Sequence, residues 1–230
     1  MQPEPSALDL VLGGDPALYA IVRLSLAVSL SATLLAALIG APLGALLALS
    51  RFRGRQAVIV TFNALMGLPP VVAGLTVYLL LSRAGPLGSF GLLFTPQAMV
   101  ITQTLLVMPI IASLTRQTVE DLWLEYSDEL VAMGVGPLRR MATLLWDARF
   151  SLVTAGLAGF GRAAAEVGSI LIVGGNIEGF TRTMTTAIAM ETSKGNLPLA
   201  LGLGLVLISL VLAVNAAAWM VRRAGQRFEH

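Results

Sequence analysis

Four long stretches of this chain contain no Asp, Glu, Lys or Arg: Leu24–Leu49, Ala57–Ser82, Ala84–Thr115 and Gly195–Val221. A helix needs about 20 apolar residues to cross a bilayer. A fifth apolar stretch, Phe150–Val173, is interrupted only by Arg162 and Glu166. The fold class is therefore an all-α integral membrane protein with five transmembrane helices. The expected spans are about 20–49, 57–82, 97–116, 150–174 and 197–221, forming one transmembrane domain over residues 1–230. The front of the third window is polar and Gly-rich, which moves that span to begin near Gln97.

Composition agrees. The chain is 56% hydrophobic and 12% charged. Soluble domains are about 25% charged, so this one lacks the polar surface to solvate itself as a soluble enzyme or a disordered chain. There is no Cys, and the only His is His230, which excludes thiolate chemistry and any His-based metal site; no metal site is expected. The first span follows an acidic segment (Glu4, Asp9, Asp15) and is longer than a signal peptide's apolar core, so it reads as a span.

The isoelectric point near 9.5 suggests nucleic acid at first sight. The net charge is only +2 and aromatics are 6%, without basic–aromatic interleaving, so no nucleic-acid partner is expected. Membrane topology explains the basic residues better. With the N-terminus outside and the C-terminus inside, the inner segments carry ten Lys or Arg (Arg51, Arg53, Arg55, Arg116, Arg139, Arg140, Arg149, Arg222, Arg223, Arg227). The outer segments carry three: Arg83, Arg182 and Lys194. That bias follows the positive-inside rule and sets basic residues beside anionic membrane lipid.

Several local patterns bear on function. Ser127 followed by Asp128 and Glu129 reads as a helix start, with Leu130, Val131, Met133 and Leu138 as a short amphipathic pattern stopped at Gly134, Gly136 and Pro137. Such an inner helix either docks a soluble partner or lies on lipid. Pro69 and Pro70 fall within the second span and remove two backbone donors, giving a pathway-lining break or a static kink. Arg162 and Glu166 share a helix face at spacing i, i+4 among small residues including Gly168. They either face a pore or gate, or form a self-neutralised structural pair. Thr183 and Thr185 stand near the start of a short outer helix over 184–191, which could hold an oxyanion or be ordinarily capped. Gly40 and Gly44 form a GxxxG that close packing explains. The chain has no phosphate-binding G-x-x-x-x-G-K-[ST] loop and no hydrolase set, so it is expected to be no enzyme and to hold no cofactor. No inverted repeat supports a secondary carrier. Five helices are few to enclose a hydrophilic path, and a homodimer supplies ten.

Together these residues resemble the permeases of ABC importers. Asp128 through Gly134 has the acid-to-Gly spacing of their EAA signature, although Trp146-Asp147 stands where the family places Leu-Pro. FGRAAAEVG (160–168) and MGLPPVVAGLTVYLLLSRAGPLG (66–88) are similar to the molybdate, sulfate and tungstate permeases. LPPVVAGL, LLWDAR and TRTMTTAIAMETSKGN look most like the tungstate branch.

The resemblance implies a type I importer permease in the cytoplasmic membrane, working as a homodimer. It would couple to two separate ATPase subunits, which bind ATP and Mg, and receive its oxyanion from an extracytoplasmic binding protein. Asp128, Glu129, Leu130, Ala132, Met133, Gly134 and Pro137, within a coupling segment of about 123–141, would meet the ATPase. Pro69, Pro70, Arg162, Glu166, Gly168, Thr183 and Thr185 would serve the pore or its gate. The alternatives are a molybdate or sulfate permease, or an ATP-independent anion channel or carrier.

Overall fold

The computed structural model describes residue 13 and residues 15–226. Glu4, Asp9, Arg227 and His230 lie outside the described residues. Nine α-helices are described: α1 (Pro16–Leu49), α2 (Arg55–Met66), α3 (Pro70–Leu81), α4 (Pro96–Ala132), α5 (Pro137–Asp147), α6 (Arg149–Ala164), α7 (Gly168–Gly174), α8 (Met184–Lys194) and α9 (Leu197–Gln226). A single 3-10 turn, Gly88–Phe90, lies between α3 and α4, and no strand occurs among the described residues. Three helices (α1, α4 and α9) are long and apolar enough to cross a membrane. The number rises to five if the bent pairs α2–α3 and α6–α7 each make one span.

Several helix boundaries have a local cause. Asp15 accepts the Leu18 N–H at 2.8 Å while Pro16 occupies the first helical position, where its missing N–H costs nothing. At the far end of α1, Arg55 Nε donates to the Leu47 carbonyl at 2.7 Å and Nη2 to the Ala48 carbonyl at 3.4 Å, satisfying acceptors the helix leaves open. The second apolar window breaks completely at Pro69, whose backbone is extended (φ −60°, ψ 124°), and Pro70 starts α3. The paired prolines therefore act as a stop and a start.

Ser127 does not begin a helix. It lies inside α4, which continues unbroken to Ala132. The acidic Ser-Asp-Glu step resembles a helix start, but nothing before it interrupts the helix. Val119, Leu122, Trp123, Tyr126 and Leu130 recur at helical spacing and pack on one core, which holds the extension in place. The strongly amphipathic helix of this region is instead α5, with Leu144 buried and Leu138, Arg139 and Trp146 exposed.

The described residues form two compact units: those within 1–32, 69–103 and 161–214, and those within 33–68, 104–160 and 215–230. The first has two cores. One gathers Val28, Val77, Leu81, Ala98, Met99, Ile170 and Val173; the other gathers Leu18, Ile21, Met184, Ala187 and Leu203. The core of the second unit is Ala45, Ala48, Val119, Leu130 and Leu144.

Glycine sets the closest helix approaches. In the second unit, a β-carbon at Gly44 would lie 2.3 Å from the Ala112 carbonyl oxygen of α4, and one at Gly40 2.9 Å from that of Met108. The GxxxG of α1 is thus its contact line with α4. In the first unit, a β-carbon at Gly74 of α3 would stand 2.7 Å from the Ser169 Cα of α7. Gly44→Leu is expected to drive α1 from α4 and cost about 1–3 kcal/mol, the range of overpacked cores. Gly156→Ala, where nothing stands within 4 Å, is expected to cost nothing. Thermal unfolding midpoints in detergent check both.

Candidate functional site

The first candidate site is the joint between α6 and α7, within the first unit. Glu166 sits in the three-residue break and is 4% exposed. One carboxylate oxygen accepts from Arg162 Nη1 at 2.7 Å, and the other accepts the Ser169 N–H at 3.1 Å. The expected i, i+4 pair is present, and its carboxylate also caps α7. A buried carboxylate needs such partners, because an unpaired charge there costs several kcal/mol. The Arg162 side chain remains 36% exposed. Thr185 Oγ1 donates to the Glu166 carbonyl at 2.6 Å, tying α8 to the same residue. A β-carbon at Gly168 would lie 2.9 Å from Val71 Cγ2, so the small residue admits α3, the helix that Pro69 and Pro70 begin.

Gln103 of α4 completes the joint. It is 1% exposed, and its Nε2 donates to the Ala163 carbonyl at 2.9 Å. Gln103 Oε1 and Ser169 Oγ are buried without a hydrogen-bond partner. Sequence reasoning passed over both residues. The signal for Gln103 was the polar triplet Thr102, Gln103 and Thr104 in the middle of a mostly apolar span.

Thr183 and Thr185 do not open an anion site at the start of α8. Both are buried, at 3% and 7% exposure. Thr183 forms a reciprocal capping box with Thr186, and the Met184 N–H donates to Ser25 Oγ of α1 at 2.7 Å. These hydroxyls are spent on holding α8, so of the two readings of this segment the geometry supports the ordinarily capped helix. At the other end of α8, Glu191 accepts from Lys194 Nζ at 3.0 Å and from Asn196 Nδ2 at 3.1 Å. The Lys194 ammonium holds its carboxyl below the ordinary carboxylate range; burial opposes this, and Asn196 and Arg182 add to the lowering.

The second candidate site, within the second unit, is the turn from α4 into α5. Gly134 has φ +66°, a left-handed conformation that favours glycine. The Val135 N–H bonds the Leu130 carbonyl at 3.1 Å and the Gly134 N–H bonds the Val131 carbonyl at 2.9 Å. This is a Schellman cap, and Val135 and Leu130 make its accompanying apolar contact. Gly136 then caps α5, with Pro137 at its first position. Arg140 clamps the turn: Nε donates to the Val135 carbonyl at 2.5 Å while the guanidinium lies 5.6 Å from the Trp123 ring centre.

Of the residues expected to meet a partner here, Asp128, Glu129, Ala132, Met133, Gly134 and Pro137 are exposed. Leu130 is not. It is 7% exposed and belongs to the core, because the helix face it occupies is the one carrying Trp123 and Tyr126. It anchors the turn and offers no contact surface. Leu138 and Trp146 join Met133 as exposed apolar residues, at 78%, 69% and 68%.

Glu166→Gln keeps an acceptor for Ser169 but removes the charge paired with Arg162. It is expected to lower stability by about 2 kcal/mol, as for other hydrogen bonds to charged groups. Arg162→Leu combined with Glu166→Gln should recover part of that loss in a double-mutant cycle of unfolding midpoints.

No family model matches the chain. It is 44% identical over 204 residues to a probable anion ABC transporter permease protein of Haloferax volcanii, covering 86% of this chain and 88% of that one. It is 39% identical to the tungstate uptake system permease TupB of Peptoclostridium acidaminophilum, over 94% of this chain and 95% of that one. The molybdenum transport permease ModB of Haemophilus influenzae is more distant, at 26% identity over 89% and 96%. In structure the chain is similar to one from the MetNI methionine ABC transporter in inward-facing conformations. The TM-score is 0.73 at 19% identity, covering 92% of this chain and 99% of that one, and it shows the shared fold. The apolar helices and these relatives make this a multi-pass membrane protein, and the chain belongs to the ABC transporter permease family that includes the tungstate-uptake permeases.

Proposed function

We propose that this chain is the membrane permease of an ATP-driven oxyanion importer, and that its anion is tungstate. The observation that carries the anion is the 39% identity to a tungstate permease over nearly the full length, against 26% to a molybdenum one. ATP and Mg belong to a separate ATPase, since this chain has no phosphate-binding loop, and the chain itself holds no cofactor. An extracytoplasmic binding protein delivers the anion. Two copies of the chain enclose the path as a single transmembrane domain each. The lipid-facing character of α9, whose apolar window is only 17% buried, supports further covering by protein or lipid.

The positive-inside bias supports an outer N-terminus and an inner C-terminus, which puts the α4–α5 turn on the cytoplasmic side. There the exposed Asp128, Glu129, Ala132, Met133, Gly134 and Pro137, together with Leu138, form the docking surface for an ATPase subunit. Leu130 and Leu144 lock that turn into its core, so a push on the surface moves the end of α4 as a body. The helix α4 runs unbroken from there to Gln103, which holds the Ala163 carbonyl at the joint. The joint of Arg162, Glu166 and Gly168, with the break at Pro69 and Pro70, is the gating element. Thr183 and Thr185 serve it by fixing α8. The unpartnered Gln103 Oε1 and Ser169 Oγ give a moving helix groups with which to re-pair.

Two measurements test this reading. Gly134→Asp places a charge in the docking surface at a backbone conformation Asp tolerates better than most residues. The variant should insert normally while ATP hydrolysis no longer drives uptake; normal uptake would remove the docking assignment. Cells with and without the gene, grown on nanomolar tungstate and molybdate, should differ in tungsten content by mass spectrometry. Loss of molybdenum instead would correct the anion, and anion flux through the chain alone in vesicles would favour a channel.

A further inference from the structure

A cavity of about 340 Å³ in the first unit lies between the first turns of α1, the loop before α8 and the start of α9. Its walls are largely apolar, including Ala20, Leu24 and Phe180, and three charged side chains line it: the guanidinium groups of Arg23 and Arg182 and the carboxylate of Glu178. Arg182 is 8% exposed and poorly matched. Its closest carboxylate oxygens, on Glu178 and Glu191, stand 3.5 and 3.8 Å away, at the outer edge of ion pairing; Nη2 also donates to the Met190 sulfur at 3.7 Å, and the buried Nε has no hydrogen-bond partner. Glu191 is already taken by Lys194 and Asn196 at closer range. Arg23 is exposed and makes no ion pair among the described residues. Arg23, Arg182 and Lys194 against Glu178 and Glu191 leave the cluster with one uncompensated positive charge. Glu178 is 81% exposed on its side chain, so water screens it more than it screens Arg182.

The depth of this cavity fits a headgroup. At 1.5 Å per residue, α1 is about 51 Å long, against a hydrocarbon core of about 30 Å. About 20 Å of it therefore lies outside the core, and Arg23, about 10 Å along the helix from Pro16, is the last charged residue before the charge-free stretch that begins at Leu24. A guanidinium at the edge of an apolar stretch suits the level of lipid phosphates, with the apolar wall continuing along Leu24.

We infer that this cavity is a binding site for a tetrahedral oxyanion, held by Arg23 and Arg182, whose source is a phospholipid phosphate or an anion free in solution. It is separate from the α6–α7 joint and does not depend on which anion the transporter carries. A bidentate guanidinium contact suits two oxygens of such a group, and the buried Arg182 supplies donors fixed in place before binding.

The test uses the full chain in its assembled state, purified in mild detergent and titrated with phosphatidylglycerol, sodium phosphate and sodium tungstate under native mass spectrometry. Arg23→Gln should weaken binding at least tenfold without lowering the unfolding midpoint, and Arg23→Lys should weaken it less. Ala20→Trp, which fills the cavity and leaves every charge in place, should abolish it. Phosphatidylglycerol retained against millimolar phosphate and tungstate identifies lipid as the source; displacement by either salt, or direct retention of it, identifies solution. If the wild type retains none of the three, or if Arg23→Gln and Ala20→Trp retain them as the wild type does, the site does not exist. Neither result bears on tungsten uptake by cells, so failure here leaves the transport reading standing.

Discussion

A helix interrupted inside a bilayer exposes backbone donors and acceptors that lipid cannot satisfy, and the protein must supply the replacements itself. The interruptions of this chain are built around that demand. Where α2 stops, Pro70 opens the next helix and has no N–H to leave stranded. Where α6 stops, the Glu166 carboxylate takes the Ser169 N–H, Gln103 takes the Ala163 carbonyl and Thr185 takes the Glu166 carbonyl. Where α8 starts, Ser25 of α1 takes the Met184 N–H. At the α6–α7 break and the start of α8, side chains from distant parts of the sequence take part, which makes each of those two places a point where helices are joined.

The same demand decides what the sequence revealed. Apolar windows are dictated by the lipid solvent, so the long helices could be read from runs without charge. The prolines and Gly134 were visible because ring closure and a positive φ act locally. Their consequences were less visible. The Arg162–Glu166 pair was readable from its spacing, whereas the capping of α7 by the same carboxylate depends on a break that neither Gly nor Pro announces at 165–167. Ser25 and Gln103 gave no local sign of what they bond, because their partners lie 159 and 60 residues away in sequence. The continuation of α4 through Ser127 was missed for the opposite reason. A strong local pattern was overruled by the stripe of Val119, Trp123, Tyr126 and Leu130, whose burial outweighs a modest capping preference.

The placement of charge at the joint bears on the gating role proposed for it. A helix N-terminus carries about half a positive charge and would attract a dianion. At α7 that field is met by the Glu166 carboxylate, and Glu166 in turn is balanced by Arg162. At α8 it is met by neutral hydroxyls already engaged with one another. The joint therefore presents dipoles and a self-cancelling pair, with no fixed excess of positive charge to trap an anion. Conduction requires a path that binds weakly enough to release. On the gating role proposed above, a joint built this way changes shape around a doubly charged ion without holding it, and discrimination between anions of similar size falls to the proposed binding protein that delivers the cargo.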